Sequence, residues 1–208
     1  MKIDSIGRVI RFAAFILPLT WVSGTALGQT QRTATAQAFG VSVSTATVNQ
    51  TTPSAVAPAD GGMAQNDAGD VTIASLVTAQ NAYAVASGWA DDGYSDAVST
   101  ASLGSVNILN GLITANGVIA IATSTAGGND AYGSSLANLV VNGVSMSAPE
   151  PNTRVDLPGV GYVVLNEQIA TVSGITVNMI HVVLQRTGLL GTQTLGDIIV
   201  GSASSSVN

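Results

Sequence analysis

Ala137-Asn-Leu-Val-Val-Asn-Gly-Val-Ser-Met146 places apolar residues on both sides of a two-residue Asn142-Gly143 turn. Asn and Gly both tolerate positive φ, which a type I′ hairpin turn requires at its two central positions. The stretch reads as a tight β-hairpin, and the same pattern extends in both directions. Upstream, Phe39, Val41 and Val43 alternate with Gly40, Ser42 and Ser44, the period-two signature of a strand with one apolar face. Val71 opens another strand, Tyr83 and Val85 share a face of the next, and Ala97 to Leu109 and Gly111 to Thr123 continue the pattern. Asn-Gly recurs at Asn110-Gly111 and Asn116-Gly117, too close together for both to be tight hairpins. Downstream, Arg154 to Leu157, Val160 to Asn166, Ile175 to Leu184 and Asp197 to Ser204 read as strands, with a turn at Ser173-Gly174 and a loop from Gly188 to Gly196.

About ten short strands separated by turns, with no capped helical periodicity past the N-terminal region, predict an all-β chain. An antiparallel β-sandwich or jelly-roll-like single domain is the expected fold. A β-solenoid is the alternative, although no fixed repeat length is visible.

The N-terminus carries Lys2, Arg8 and Arg11, then the apolar run Phe12 to Val22, then Ala26-Leu-Gly28 with small residues at −3 and −1 of a cleavage site. Residues 1–28 are read as a signal peptide, since the apolar run is well short of the ~20 residues of a bilayer span. Residues 29–37 are expected to be a flexible polar segment. Residues 38–203 form the β-rich domain, with a long Pro-, Gly- and Asp-punctuated loop at 51–70, and 204–208 is a polar tail. No transmembrane segment is expected in the mature chain, which is placed outside the cell, secreted or loosely surface-associated.

Past Gly28 there is no lysine and no cysteine, one histidine (His181), one tryptophan (Trp89), and three arginines against eleven acids. That excess of negative charge repels phosphate backbones, so nucleic acid is not an expected partner. Without cysteine there are no disulfides, thiolate nucleophiles or zinc-thiolate sites. A Ser-His-Asp site needs a base, and the only candidate, His181, sits mid-strand with no Gly-x-Ser-x-Gly elbow in the chain, so it reads as structural. The two glutamates past Gly28, Glu150 beside prolines and Glu167 at a strand end, suggest no paired acid and base. No catalytic residue is expected.

The turn-rich stretch Trp89-Ala-Asp-Asp-Gly-Tyr-Ser-Asp96 is the one candidate ligand site. Asp91, Asp92 and Asp96 are hard oxygen donors suited to calcium, though without an EF-hand pattern, and solvated turn acids are the plainer reading. Trp89 and Tyr94 flank them as aromatic faces for a glycan. No other cofactor is suggested.

Ala38-Phe-Gly-Val-Ser-Val43, Leu109-Asn-Gly-Leu-Ile-Thr-Ala115, Leu139-Val-Val-Asn-Gly143, Val160-Gly-Tyr-Val-Val-Leu-Asn-Glu-Gln168, Ile175-Thr-Val-Asn-Met-Ile-His-Val182 and Gly196-Asp-Ile-Ile-Val-Gly201 follow one another in this order. Together they resemble the bacterial exported proteins grouped as the choice-of-anchor P family, over about Ala38 to Ala203. The resemblance implies a β-rich exported protein of uncharacterised activity, and it brings no catalytic residues. Many such proteins end in a surface anchor, whereas here Ser-Ala-Ser-Ser-Ser-Val-Asn208 shows no sorting motif. Two functions follow as expectations. The first is a structural or surface- or matrix-associated protein without catalysis. The second is an extracellular ligand-binding module for a surface or matrix glycan, assisted by calcium.

Phe39 to Ser44 and Asp197 to Ser202 lie near the two ends of the domain. Placed at sheet edges, their unpaired backbone would template self-association with a second copy. Paired with each other or with the core sheet, they would close the domain instead.

Overall fold

The computed structural model describes residues 32–189 and 191–208. The signal-peptide reading of 1–28 lies outside the described residues. Residues 31–208 form one compact unit, and every regular element described in it is a β-strand. No helix among the described residues is long and apolar enough to cross a membrane.

The strands make two antiparallel sheets. A six-stranded sheet has the order β11 (Thr153–Leu157), β12 (Gly161–Ala170), β13 (Gly174–Gly188), β14 (Gly191–Val207), β1 (Ala34–Thr45), β2 (Asn49–Val56). An eight-stranded sheet has the path β10 (Val144–Met146), β9 (Leu139–Val141), β6 (Ile113–Thr125), β5 (Ser95–Ile108), β4 (Val77–Ala90), β3 (Gly62–Ile73). Two further short strands, β7 (Gly128–Asp130) and β8 (Ser135–Leu136), also pair with β6. The chain is thus a β-sandwich assembled mostly from consecutive hairpins, as expected, and the sheet order rules out a solenoid.

The opening hairpin is present: Leu139, Val140 and Val141 pair with Met146, Ser145 and Val144, and Asn142 and Gly143 have φ of 50° and 77°. Asn110-Gly111 lies in the β5–β6 turn, whereas Asn116-Gly117 sits inside β6.

Four boundaries are corrected. The expected loop 51–70 is largely strand: β2 and most of β3 are sheet edges, where Pro53 and the bulges around Asp67 and Gly69 are tolerated because one side of the strand needs no partner. The flexible segment 29–37 turns to strand at Ala34, and the polar tail 204–208 stays in β14 as far as Val207, each end pairing with the other (Ala34 with Val207, Gln37 with Ser204). The loop at 188–196 shrinks to a tight hairpin because β13 and β14 continue, out of phase by one residue, past Leu184. Finally, Phe39 to Ser44 and Asp197 to Ser202 are not at edges. They pair with each other in the interior of the six-stranded sheet and close the domain, the second of the two arrangements expected for them, and the sheet paths end at β2, β11, β3 and β10.

Near mid-length the in–out alternation slips by one residue in both sheets. In the six-stranded sheet two consecutive residues turn inward on three neighbouring strands: Gly40-Val41, Met179-Ile180 and Val200-Gly201. In the eight-stranded sheet two consecutive residues turn outward: Gln80-Asn81, Gly104-Ser105 and Asn116-Gly117. The slips face each other, since a Cβ on Gly201 would come within 2.7 Å of Val118 Cγ1 and one on Gly40 within 3.5 Å of Ala82 Cβ.

This row divides the core by residue size. On one side lie Val43, Ile73, Ile108, Ile113, Leu139, Leu157, Leu165, Ile180 and Ile198, all buried. On the other lie mainly Ala36, Ala38, Ala84, Ala86, Ala97, Ala101, Ala120, Ala122 and Ala203, with buried Ser99, Ser124 and Ser205. Ser99 Oγ of one sheet donates to the Ser204 carbonyl of the other (2.9 Å), and Ser124 Oγ donates to the Ser205 carbonyl (3.0 Å). A serine side chain that spans the gap requires sheets closer than the roughly 10 Å of ordinary sandwiches. The sandwich is therefore a wedge, with a thick aliphatic end and a thin alanine–serine end.

Candidate functional site

The Trp89–Asp96 stretch forms the tip of the β4–β5 hairpin at the thin end, where Gly88 packs against the Ala34 carbonyl. Its acids are engaged locally. Asp91 Oδ1 accepts the backbone amides of Gly93 (3.0 Å) and Tyr94 (2.9 Å), an Asx turn that closes the hairpin. These amides, and then the Trp89 indole, hold the Asp91 carboxyl below the usual carboxylate range. Tyr94 donates its hydroxyl to Asp96 Oδ2 at 2.8 Å, which pushes the phenol pKa up. Asp92 points to solvent. Asp91 and Asp96 are thus bonded within the turn and Asp92 is exposed, and among the described residues no three His, Asp or Glu are grouped to hold a metal ion. Trp89 and Tyr94 are each more than half exposed, and the indole ring lies beside Gly61.

A polar network that the sequence reading passed over lies on the outer face of the six-stranded sheet, beside the slip. His181 Nδ1 and Glu167 Oε2 are 2.9 Å apart, and Nε2 lies 3.5 Å from Asp197 Oδ1. Asn178 donates to the same Glu167 oxygen (2.7 Å) and accepts the Ser202 hydroxyl (2.7 Å). Three strands supply it: β12 gives Glu167, β13 gives Asn178 and His181, and β14 gives Asp197 and Ser202. The slip allows this, because it turns Asn178 and His181, three apart in sequence, to one face. Sequence reasoning missed the pair for a specific reason. A turn centred on Ser173-Gly174 sets a register two residues off, whereas Glu167 faces Asn178 and Val164 faces His181. The alternation of Val163 and Leu165 against Ile180 and Val182 is the signal that identifies the true register.

The hydrogen bond to Glu167 raises the His181 pKa against the opposing effect of burial, with Asp197 adding to the rise. The same bond, helped by Asn178, keeps Glu167 below its ordinary value although burial pushes the other way. Stability from His181 is complete below its unfolded value of 6.5 and is lost as pH rises through the higher folded value; that from Glu167 is complete above 4.5 and is lost as pH falls through the lower folded value. The pair therefore stabilises most between pH 4.5 and 6.5. Calorimetry is expected to show Tm falling by about 2–4 °C from pH 6 to pH 8.5, for a contribution of about 1 kcal/mol. His181→Gln is expected to flatten that slope, and equal slopes in both proteins would refute the assignment.

Chemically, the network is closed. Neither ring nitrogen of His181 is hydrogen-bonded to a serine or threonine hydroxyl, and Ser202 is buried and spends its proton on Asn178. The buried amide and carboxylate are bonded rather than aimed at a vacant position, and no buried side-chain polar atom among the described residues lacks a partner. Comparison with protein families, with curated proteins and with solved structures finds no match.

Proposed function

We propose that this is an exported bacterial structural protein, associated with the cell surface or extracellular matrix and without catalytic activity, of the choice-of-anchor P kind that its sequence resembles. The observation that carries the reading is the commitment of His181, the one available imidazole, to Glu167 and Asp197 on an open sheet face with no nucleophile bonded to it. Metal-free hydrolysis through an imidazole needs that base within reach of a hydroxyl nucleophile or of a water held beside a bound substrate, in a cleft that positions the substrate. Instead, the side chains are mostly small and uncharged, suited to packing sheets. The test is a broad hydrolase screen of the mature protein beside His181→Ala, with fractionation of cultures to locate it. Turnover that disappears in the variant would overturn the reading.

The glycan-binding alternative is supported by the exposure of Trp89 and Tyr94 at the hairpin tip. Its test is a glycan array with and without chelator, repeated on Trp89→Ala. Signal lost in the variant would support it, and no signal in either condition would remove it.

A further inference from the structure

Charge is spread unevenly along the domain: aspartates gather at the thin end, while at the thick end two arginines stand with Asp156 and Asp197. Thr45, Gly196, Leu184 and Gly161 align across the six-stranded sheet at the thick end, and the turns at 157–161 and 188–191 project there. Between those turns lies an open groove of about 550 Å³, lined by Arg154, Asp156, Gln185, Arg186, Thr192 and Leu195 among others. Two of the three arginines past Gly28 thus sit in one groove. Arg154 is preorganised: its guanidinium carbon lies 3.8 Å from the Tyr162 ring centroid, and Nε and Nη2 both donate to Asp156 Oδ1, leaving its other N–H groups free to reach an anion. Arg186 is exposed and has no carboxylate within salt-bridge distance among the described residues. Leu189 and Leu195 are exposed beside it.

The opposite end has the complementary character. The β4–β5 tip carries Asp91, Asp92 and Asp96, Asp60 lies in the neighbouring β2–β3 turn and Asp130 at the end of β7, and Arg32 is the cation there among the described residues. Trp89 and Tyr94 stand exposed on the same tip. A narrow, acidic, aromatic hairpin at one end thus faces outward along the strands, and at the other a groove carries two arginines against one aspartate, Asp156, with exposed leucines beside it.

We propose that the arginine groove receives the Trp89–Asp96 hairpin of a second copy, joining molecules head to tail. Asp92, which is not needed to close its own turn, pairs with Arg186, and the aromatic faces of the tip meet the guanidinium groups and Leu195, a combination of charge pairing and cation–π contact. The contact is heterologous, so it extends into chains unless rotation closes a ring. A single inserted tip makes a small contact, at the weak and transient end of interfaces. The inference goes beyond the functional reading above, and a monomeric protein would leave that reading standing.

The test is sedimentation velocity of the mature protein from low to high micromolar concentration, in 50 mM and 500 mM salt, beside Arg186→Glu and Asp92→Arg. Both positions are exposed, and circular dichroism and Tm confirm that the variants fold. Wild type is expected to show a weight-average mass that rises with concentration and falls back in high salt. Each variant alone is expected to stay monomeric, with association weakened at least tenfold. An equimolar mixture of the two is expected to associate again, because the native tip of Arg186→Glu fits the native groove of Asp92→Arg and the reversed tip fits the reversed groove. A concentration-independent wild-type monomer, association indifferent to either substitution, or a mixture that stays monomeric would each overturn the proposal. Association of wild type with neutral or acidic glycans but not with itself would assign the groove or tip to the glycan reading instead.

Discussion

Gly201→Val is expected to destabilise the protein by about 3 kcal/mol or more, enough to lower Tm by roughly 6–12 °C if the variant folds. Two independent effects combine at this residue. Its φ of +66° lies in the left-handed region, where a β-branched side chain is at its worst. Its Cβ would also enter the opposite sheet, 2.7 Å from Val118 Cγ1, at the row where both sheets slip phase. Neither neighbour can yield easily, since Val118 and Met179 are themselves buried. Gly127→Ala is the control, being in a surface turn with its nearest contact, Thr125 Oγ1, at 3.6 Å. Chemical denaturation of both, with equal m-values, separates a local clash from a general intolerance of glycine replacement. A Gly201→Val protein as stable as the control would contradict the facing slips.

Leu165→Ala and Ile180→Ala are each expected to cost about 2–5 kcal/mol, the range for truncating a large aliphatic side chain in a core that cannot collapse around the gap. Both are fully buried, and they stand directly opposite each other on β12 and β13 in the thick half. Because the two cavities merge, the double variant is expected to lose less than the sum, with a coupling of at least about 0.5 kcal/mol in a double-mutant cycle. In the thin half the sensitivity inverts. Ala101 has no bulk to lose, and Ala101→Leu is expected to destabilise by overpacking. Stability loss of the same size for truncation and enlargement at both places would rule out the wedge.

Much of this architecture was legible because antiparallel hairpins carry their own local signals. Asn142-Gly143 announced its turn, and Val41 and Val43 announced their faces, from side-chain chemistry alone. The legibility failed where the determinant was non-local. Pro53 and the Asp67–Asp70 segment look like loop residues until one knows that they line sheet edges, where an unpaired side of the strand costs little in water. Ser204 to Val207 looks like a tail until β1 is seen beside it, with Ser205 turned toward Ser124 of the facing sheet. The phase slip was hidden for a related reason. A doubled inward pair such as Met179-Ile180 reads as noise in one strand, and becomes a pattern only when Gly40-Val41 and Val200-Gly201 align with it. The Glu167–His181 contact depended on that slip and so was hidden with it.

The antiparallel neighbours β1 and β14 bring Ala34 and Val207 side by side at the thin end. A force separating those two points would peel the strands apart like a zip, loading one hydrogen bond at a time, and the sheet would yield at low force. Tension applied instead from the hairpin tip at the thin end to the arginine groove at the thick end runs along the strands. The tip belongs to the eight-stranded sheet and the groove to the six-stranded one, so the load shears the two sheets across their packed core, with many side-chain contacts sharing the strain at once. The same molecule is thus mechanically soft when pulled by its strand ends and stiff when pulled along its length.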